Sequence, residues 1–355
     1  MEPPLARPEW PLEDAGMIDC ETTSQKTGHE VRETEHKDMS DQTPCNIHER
    51  VNTLRRQISR VYLGDSPAID WLICCLLARG HVLLEDVPGV GKTLLASTLA
   101  RSIDCPFSRI QLTPDMLPAD LLGVSIFSRD GTELRFQPGP IFTSVLLADE
   151  INRTTPRTQS ALLEAMSEAK VSIDGTTHEL QQPFMVVATQ NPAEFEGTYP
   201  LPENQLDRFL MRLSLGYPSS EAETELLDLR PATTVLSQIA PVLDAQDVIE
   251  MQRMVDTVHI SEQVRRYIVE IARRSRESNE IMVGLSPRGS LALAQGCRAW
   301  AWMNGRDYVS PDDVCALLIP VCAHRIVIDG AATGAHWVLA AELIESIARG
   351  VDSPV

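Results

Sequence analysis

Short apolar runs alternate with helical patterns between residues 81 and 216 of the chain. The apolar runs are His81–Glu85, Arg109–Leu112, Val145–Ala148, Phe184–Thr189 and Met211–Leu215. Helical patterns cover Leu94–Ile103 and Pro156–Glu168, and the pair Thr155-Pro156 is typical of an N-cap followed by proline at the first helical position. This alternation predicts βαβ units, and hence an α/β fold with a parallel sheet between helices.

Two Asp-Gly pairs interrupt the alternation. Asp-Gly supplies the positive φ angles of a tight primed turn, so each pair predicts a hairpin inserted into the α/β layout. Asp130-Gly131 joins Val124–Ser128 to Glu133–Phe136, and Asp174-Gly175 joins Val171–Ile173 to His178–Leu180.

Strand patterns stop near residue 221, where Ser220 and Glu223 form a capping box at a helix start. Helical patterns follow over residues 246–257, 262–277, 288–303 and 311–325, the last opened by Ser310-Pro311-Asp312-Asp313. This half of the chain therefore predicts a small all-helical second domain.

Residues 1–45 are polar and acidic, and they show no sustained period. Such a segment cannot bury enough apolar surface to offset the entropy lost on ordering, so we expect a disordered acidic tail. The length of 355 residues leaves room for two domains, which we place at residues 46–219 and 220–355.

The overall charge of the chain is acidic, with 50 acidic and 31 basic residues and a formal net charge of −19. This balance argues against a protein that coats nucleic acid or an anionic membrane. No apolar stretch approaches the ~18 residues of a membrane span, and the start of the chain is no secretory signal. The eight cysteines show no zinc-finger spacing. We expect a cytoplasmic protein.

The segment from His81 to Thr93 predicts a buried strand, a glycine loop and a helix start. It fits the phosphate-binding pattern GxxxxGK[ST] except at the first position, which is Asp86. Glycines at 89 and 91 let successive N–H groups point at a phosphate, while Lys92 reaches the β- and γ-phosphates and Thr93 offers a hydroxyl to Mg²⁺. The predicted nucleotide-binding residues are Asp86, Val87, Pro88, Gly89, Val90, Gly91, Lys92, Thr93 and Leu94.

Two further strands end in polar side chains. The strand Val145–Ala148 is followed by Asp149 and Glu150. On its own this is a strand with a solvated end, but beside a phosphate loop Asp149 can hold Mg²⁺ and Glu150 can polarise a water. The strand Phe184–Thr189 is followed by the amides Gln190 and Asn191. On its own Asn191 reads as a turn residue. If this strand lies between the strands that precede the phosphate loop and Asp149, the Asn191 amide could orient the water that Glu150 polarises.

Two arginines are candidates for contacts with phosphate. Arg208, before the last strand, is either an ion-pair partner of Asp207 or an arginine finger, a role worth ~10³–10⁵ in rate. Ser286-Pro287 places Arg288 in the first turn of a helix, where a cation opposes the helix dipole by roughly 0.3–1 kcal/mol. A neighbouring carboxylate or a bound phosphate would offset that cost.

Taken in order, these segments resemble the AAA+ ATPases and, within them, the MoxR family. The resemblance begins near Tyr62 and covers about four-fifths of the chain. It is most specific in Leu84–Thr93, Leu147–Arg153, Thr158–Met166, Ala188–Pro192, Gln205–Phe209 and Ser286–Arg288. Asp86 departs from the family motif at a position where the family tolerates substitution.

The resemblance implies an AAA+ nucleotide domain with a helical lid, ATP and Mg²⁺ bound between subunits, and a homo-oligomer in the form of a hexameric ring. The implied roles are Walker A for Lys92 and Thr93, Walker B for Asp149 and Glu150, sensor 1 for Asn191, arginine finger for Arg208 and sensor 2 for Arg288. The two hairpins look like the helix-2 and pre-sensor insertions of this branch, which often face partners or the ring centre.

MoxR-like proteins are regarded as chaperone-like ATPases that help partner proteins mature, often with a von Willebrand factor type A domain protein. The alternatives are the motor subunit of a metal chelatase and a nucleic-acid motor. A nucleic-acid motor needs basic hairpins, whereas the tip Ser128–Gly131 carries one arginine beside an aspartate. A scaffold without hydrolysis is disfavoured by the acidic pair after the strand, and a GTPase by the absence of lysine from Asn204–Asp207.

Overall fold

The computed structural model describes residues 44–62, 67–86, 89–127, 133–191, 197–217, 219–221, 223–224, 236, 238–328 and 336–354. The predicted tail falls almost wholly outside these residues, as do Val87 and Pro88 of the phosphate loop, the tip of the first hairpin and most of the helix predicted after Ser220. Those expectations stay predictions. In the described part of the chain, no helix combines the length and apolar character needed to cross a bilayer.

The first half of the chain builds a layered α/β unit. Its helices are α1 (Pro44–Val61), α2 (Ala68–Leu77), α3 (Lys92–Ser102), α4 (Pro118–Leu122), α5 (Pro156–Glu168) and α6 (Glu203–Leu206). Its strands are β1 (Val82–Glu85), β2 (Phe107–Gln111), β3 (Gly123–Phe127), β4 (Leu134–Pro138), β5 (Val145–Asp149), β6 (Lys170–Ile173), β7 (Thr176–Glu179), β8 (Met185–Gln190) and β9 (Met211–Leu213). Among these, β2, β5, β8, β1 and β9 form one parallel sheet in that order, as the alternation of strands and helices predicts.

The sheet is apolar on both faces. Leu83, Leu146 and Val186 pack into a core shared with α5, whereas Leu84 and Leu147 point to the opposite core, shared with α1, α2 and α3. Because both faces are covered, the strand sequences read as continuous apolar runs and not as alternating ones.

The two inserted hairpins are present as antiparallel pairs, β3 with β4 and β6 with β7. In the second hairpin Asp174 has φ 49° and Gly175 has φ 79°, which is the pair of positive angles that a primed turn requires. The hairpins also contact each other, because the rings of Phe136 and His178 stack with their centroids 4.1 Å apart.

The second half of the chain forms the helical lid. Its helices are α7 (Ala245–Thr257), α8 (Glu262–Glu277), α9 (Pro287–Met303), α10 (Pro311–Cys322) and α11 (His336–Arg349), with the strands β10 (Ile281–Val283) and β11 (Val327–Ile328). The prediction of an all-helical lid needs one correction, since β10 and β11 pair into an antiparallel ribbon. Strands of two or three residues are too short to give a periodic signal. The helix α11 was not singled out from the sequence either.

The lid packs directly on the first helices of the chain. Buried residues of α1, α2 and the lid helices belong to one continuous core. Polar contacts reinforce it: Arg50 in α1 donates to Asp247 in α7 at 2.6 Å, and the Gln252 amide donates to the carbonyl of Leu76 at 2.8 Å. The position of the lid is therefore set by α1 and α2 as well as by the sheet.

A buried histidine joins three elements at the start of β1. His81 is 7 % exposed; its Nδ1 accepts a hydrogen bond from the backbone N–H of Val186 at 3.0 Å, so its Nε2 carries the proton and donates to the carbonyl of Met166 at 2.9 Å. Burial lowers the pKa of His81 from 6.5 to about 4. The ring thus stays neutral in the folded protein at pH values where the unfolded chain already binds a proton.

Acid is therefore expected to destabilise the fold through His81. The folded pKa lies below the unfolded one, so stability is complete above pH 6.5 and falls towards pH 4. Between pH 7.5 and 5 the expected loss is about 2 kcal/mol in the free energy of unfolding. Urea titrations of wild type and His81→Gln, whose amide also donates and accepts, measure it. A variant with the same pH dependence as wild type would contradict the assignment.

Candidate functional site

The sheet order brings the predicted site residues to one edge. The strand β8 lies between β5 and β1, which is the condition for Asn191 to approach the other polar strand ends. All three strands run parallel, so Asp149, Asn191 and the loop after β1 leave the sheet at its carboxyl edge, where open α/β sheets bind ligands. Asn191 is buried there, directly after β8.

The loop after β1 has the backbone of a phosphate cradle. Gly89 and Gly91 both have φ +92°, a conformation that glycine adopts without steric cost, and helical structure begins at the next residue, Lys92. The free N–H groups of this first turn favour an anion. The ammonium of Lys92 donates to the backbone carbonyl of Asp86 at 2.7 Å.

The charge of Lys92 is held among carboxylates. Burial lowers the pKa of the Lys92 ammonium, and nearby carboxylates oppose that shift. In order of decreasing effect, these carboxylates belong to Asp86, Asp149, Glu150 and Glu85. Lys92 therefore shares one electrostatic environment with the two acids predicted for magnesium and water, even though Lys92 begins α3 and the acids lie at the end of β5.

Asp86 has a contact that the sequence did not predict. Its Oδ2 accepts hydrogen bonds from the N–H groups of Leu215 and Gly216 at 2.6 and 2.8 Å, and from the hydroxyl of Ser214 at 3.1 Å. The backbone of Asp86 does not take a positive φ, so glycine is not required at this position. Its carboxylate ties the loop to the segment after β9, and its backbone N–H donates to the carbonyl of Gln190 at 3.2 Å. These contacts hold the start of the loop in place.

Asp149 is fixed by two donors at the end of β5. Its Oδ1 accepts from the hydroxyl of Thr189 at 3.2 Å, and its Oδ2 accepts from Nε of Arg109 at 2.7 Å. The Thr189 oxygen in turn accepts from the backbone N–H of Glu150 at 2.9 Å. One threonine thereby sets the relative placement of both acids, a role that the sequence analysis missed because Thr189 reads as an ordinary strand residue.

Glu150 is held in an unusual conformation. Its φ of 58° lies in the left-handed region, which costs a residue with a Cβ on the order of 1–3 kcal/mol. Its carboxylate accepts from the amide of Gln111 at 2.6 Å and from Arg153 at 3.0 Å. Gln111 ends β2, which neighbours β5, so a polar residue at that strand end was the available signal, but it was not recognised.

The two candidate arginines line a cleft of their own, of about 490 Å³. Arg208 donates to the carbonyl of Leu163 at 2.7 Å and to the hydroxyl of Ser167 at 3.0 Å, so it is not the ion-pair partner of Asp207. Arg288 is 53 % exposed, with its Nε 3.8 Å from Asp207 Oδ2. The described residues around the cleft are Ser160, Leu163, Glu164, Ser167, Glu168, Asn204, Gln205, Arg208 and Arg288.

The residues at the carboxyl edge fit a nucleoside triphosphate and a magnesium ion. The hydroxyl of Thr93 and the carboxylate of Asp149 are the hard oxygen ligands that Mg²⁺ prefers. The loop around Lys92 offers N–H groups and one positive charge, as a phosphate requires. A carboxylate and an amide, from Glu150 and Asn191, complete the set that in-line attack by water needs.

Comparison with known proteins separates the chain into two parts. Residues 81–211 match the family described as the ATPase family associated with various cellular activities (AAA). Residues 273–347 match the AAA lid domain. The first match contains the phosphate loop and both acids, and the second contains Arg288.

Similar proteins extend over most of the chain. The uncharacterized protein YeaC of Bacillus subtilis is 45% identical over 309 residues, which are 87% of this chain and 96% of that protein. Chaperone MoxR1 of Mycobacterium tuberculosis is 40% identical over 290 residues, 78% of this chain and 76% of that protein. The crystal structure of a candidate ATPase from Cytophaga hutchinsonii aligns with a TM-score of 0.79 at 36% identity, covering 88% of this chain and 97% of that one.

Proposed function

Because this chain belongs to the MoxR family of AAA+ ATPases, we propose that it is a chaperone that hydrolyses ATP to remodel or mature partner proteins. The observation that carries the proposal is the convergence of Lys92, Asp149 and Glu150 at one edge of the sheet. The clients include complexes that need a metal or cofactor inserted, with a von Willebrand factor type A domain protein as the partner class. Since the reaction consumes ATP, the protein works in the cytoplasm.

The residues at the sheet edge divide the chemistry between them. The glycine loop and Lys92 bind the β- and γ-phosphates, and Thr93 and Asp149 hold Mg²⁺. When bound there, the metal would supply positive charge to the phosphate oxygens of the nucleotide. Glu150 accepts a proton from the attacking water, and Asn191 orients that water.

The cleft that holds Arg208 and Arg288 supports catalysis between subunits. Both guanidinium groups line the side of the unit that also presents α5, and Arg288 is more than half exposed. A pair of arginines of this kind is suited to the γ-phosphate of a neighbouring subunit. Head-to-tail contacts of one subunit with the next close into a ring, which we propose to be hexameric.

Removal of the loop lysine should weaken nucleotide binding itself. Lys92→Ala deletes a charge-assisted contact worth roughly 1.5–3 kcal/mol, so the Kd for ATP with magnesium should rise about tenfold to a hundredfold in calorimetry. Lys170→Ala is the matched control, because Lys170 lies on the second hairpin and pairs with Glu179. Equal affinities in the two folded variants would remove Lys92 from the site.

The proposed chaperone role is tested by capture of what the ATP state holds. Glu150→Gln, which should keep ATP, serves as bait, and Lys92→Ala, which should not, serves as the reference. A protein partner enriched with the first bait and not with the second supports the proposal. Nucleic acid enriched in the same way would favour the motor alternative, and a metal–tetrapyrrole enzyme would favour the chelatase alternative.

A further inference from the structure

A buried arginine of the lid contacts the segment that carries Arg208. Arg325 lies in the 3₁₀ turn Ala323–Arg325 after α10, and its side chain is 3 % exposed. It donates to the carboxylate of Asp207 at 2.8 Å and to the backbone carbonyls of Phe209 and Leu210 at 2.6 and 3.1 Å. These acceptors lie on both sides of Arg208.

The same arginine contacts the helix that carries Arg288. A Cβ added to Gly289 would lie 3.1 Å from Cδ of Arg325 and 2.5 Å from Cδ1 of Leu285. The missing side chain therefore makes room for Leu285 and for Arg325 against the first turn of α9. Asp207 completes the connection, because it accepts from Arg325 on one oxygen and faces Arg288 at 3.8 Å with the other.

Fold stability alone does not account for this arrangement. Withdrawal of a guanidinium from water is costly, and an apolar side chain of similar size often gives equal or greater stability. A guanidinium offers five donors in a rigid fork, which holds several acceptors in a fixed geometry. Arg325 uses that fork on a carboxylate and two carbonyls within four residues of the chain. The contacts of Arg325 therefore fix the positions of residues 207–210 relative to the lid.

We propose that Arg325 is a positioning residue for Arg208. It holds residues 207–210 against the lid, so that the placement of the lid sets the placement of the Arg208 guanidinium at the neighbouring subunit. This inference rests on the proposed function, in which Arg208 acts on the ATP of that neighbour. Arg325 then affects catalysis at the adjacent site and leaves nucleotide binding by its own subunit intact.

Steady-state kinetics of Arg325→Lys give the first test. A lysine keeps the charge but cannot satisfy the three acceptors in one plane, so kcat should fall about tenfold or more, with KM for ATP within about twofold of wild type. The matched control is Arg306→Lys, because Arg306 forms a comparable lid ion pair, 2.7 Å from Asp313, away from the Arg208 segment. Loss of activity in both variants alike, or in neither, overturns the proposal.

Mixed rings identify the subunit on which Arg325 acts. With Glu150→Gln as partner, the Arg325→Lys subunit keeps its own Glu150 and receives a well-placed Arg208, so activity should return. With Arg208→Ala as partner, every interface lacks a well-placed Arg208, so activity should stay low. An Arg325 that served only its own nucleotide would give the opposite pattern, with rescue by Arg208→Ala and none by Glu150→Gln, and that result overturns the proposal.

Two further measurements distinguish failure of this inference from misfolding of the variant and from failure of the proposed function. Gly289→Ala keeps Arg325, and its Cβ would crowd Leu285 at 2.5 Å and, less severely, Arg325 at 3.1 Å. It should give the same rescue pattern with a smaller loss of activity, so the test survives if Arg325→Lys does not fold. The opposite pattern in this variant also overturns the proposal. The mixture of Arg208→Ala with Glu150→Gln is the reference. If the reference is not rescued, catalysis between subunits fails and the inference fails with it. If the reference is rescued but the mixtures with Arg325→Lys do not show the expected pattern, the inference alone fails.

Discussion

Glu150→Gln is expected to bind ATP with an affinity close to that of wild type and to hydrolyse it about a hundred- to ten-thousandfold more slowly. The amide has the size of the carboxylate, and its oxygen still accepts from Gln111 and Arg153, so the side chain at position 150 keeps its place. What it loses is the ability to take a proton from water. Phosphate release and calorimetry, measured on the same preparation, separate the two effects.

The control for this variant is Glu179→Gln, which also removes one carboxylate and lies on the second hairpin in an exposed pair with Lys170. It should hydrolyse ATP at the wild-type rate. Substantial turnover by Glu150→Gln would remove Glu150 as the water-activating group. Loss of ATP binding in that variant would instead assign Glu150 to the nucleotide pocket.

Local signals predicted most of the fold. Thr155 and Pro156 define the start of α5, and the helix runs over the predicted residues because cap, first-turn proline and apolar period agree. Asp174 and Gly175 predicted their turn for the same reason, since the required φ angles restrict the residues that fit. Because such features depend on a few adjacent residues, they can be predicted directly from the sequence.

The contacts that arrange the site were not predictable in this way. Gln111 and Glu150 are 39 residues apart, and Arg325 and Asp207 are 118 apart. No local pattern distinguishes Gln111 from any polar residue at a strand end. The direction of the Asp86 carboxylate depends likewise on where β9 ends. Motifs identified the residues that meet the nucleotide, and the tertiary fold supplied those that hold them.

The sequence left two interpretations of Arg208, and the contacts of Asp207 argue against the ion-pair interpretation. Asp207 pairs with Arg325 and faces Arg288, so the carboxylate next to Arg208 in sequence is already engaged. Arg208 itself donates to neutral groups, the Leu163 carbonyl and the Ser167 hydroxyl. A guanidinium held by neutral acceptors retains its charge for an anion from outside the subunit.

Arg208→Ala is therefore expected to be inactive alone, with a rate about 10³–10⁵ below wild type, and to regain activity when mixed with Glu150→Gln. Each active interface needs Glu150 from one subunit and Arg208 from the next. In an equal random mixture, about one quarter of the head-to-tail interfaces combine both intact residues, so activity should approach about one quarter of wild type. The measurement is phosphate release after subunit exchange.

Subunit exchange must be verified in the same mixture, for example by energy transfer between labelled subunits, because rings that do not mix cannot be rescued. Arg135→Ala is the matched control, since Arg135 is an exposed arginine of the first hairpin with a long contact to Glu133, and it should be active alone. If exchange is complete and activity stays absent, Arg208 serves its own subunit. The cleft it shares with Arg288 would then be a structural contact of α5 with the lid, because neither arginine would have a phosphate to meet across the interface.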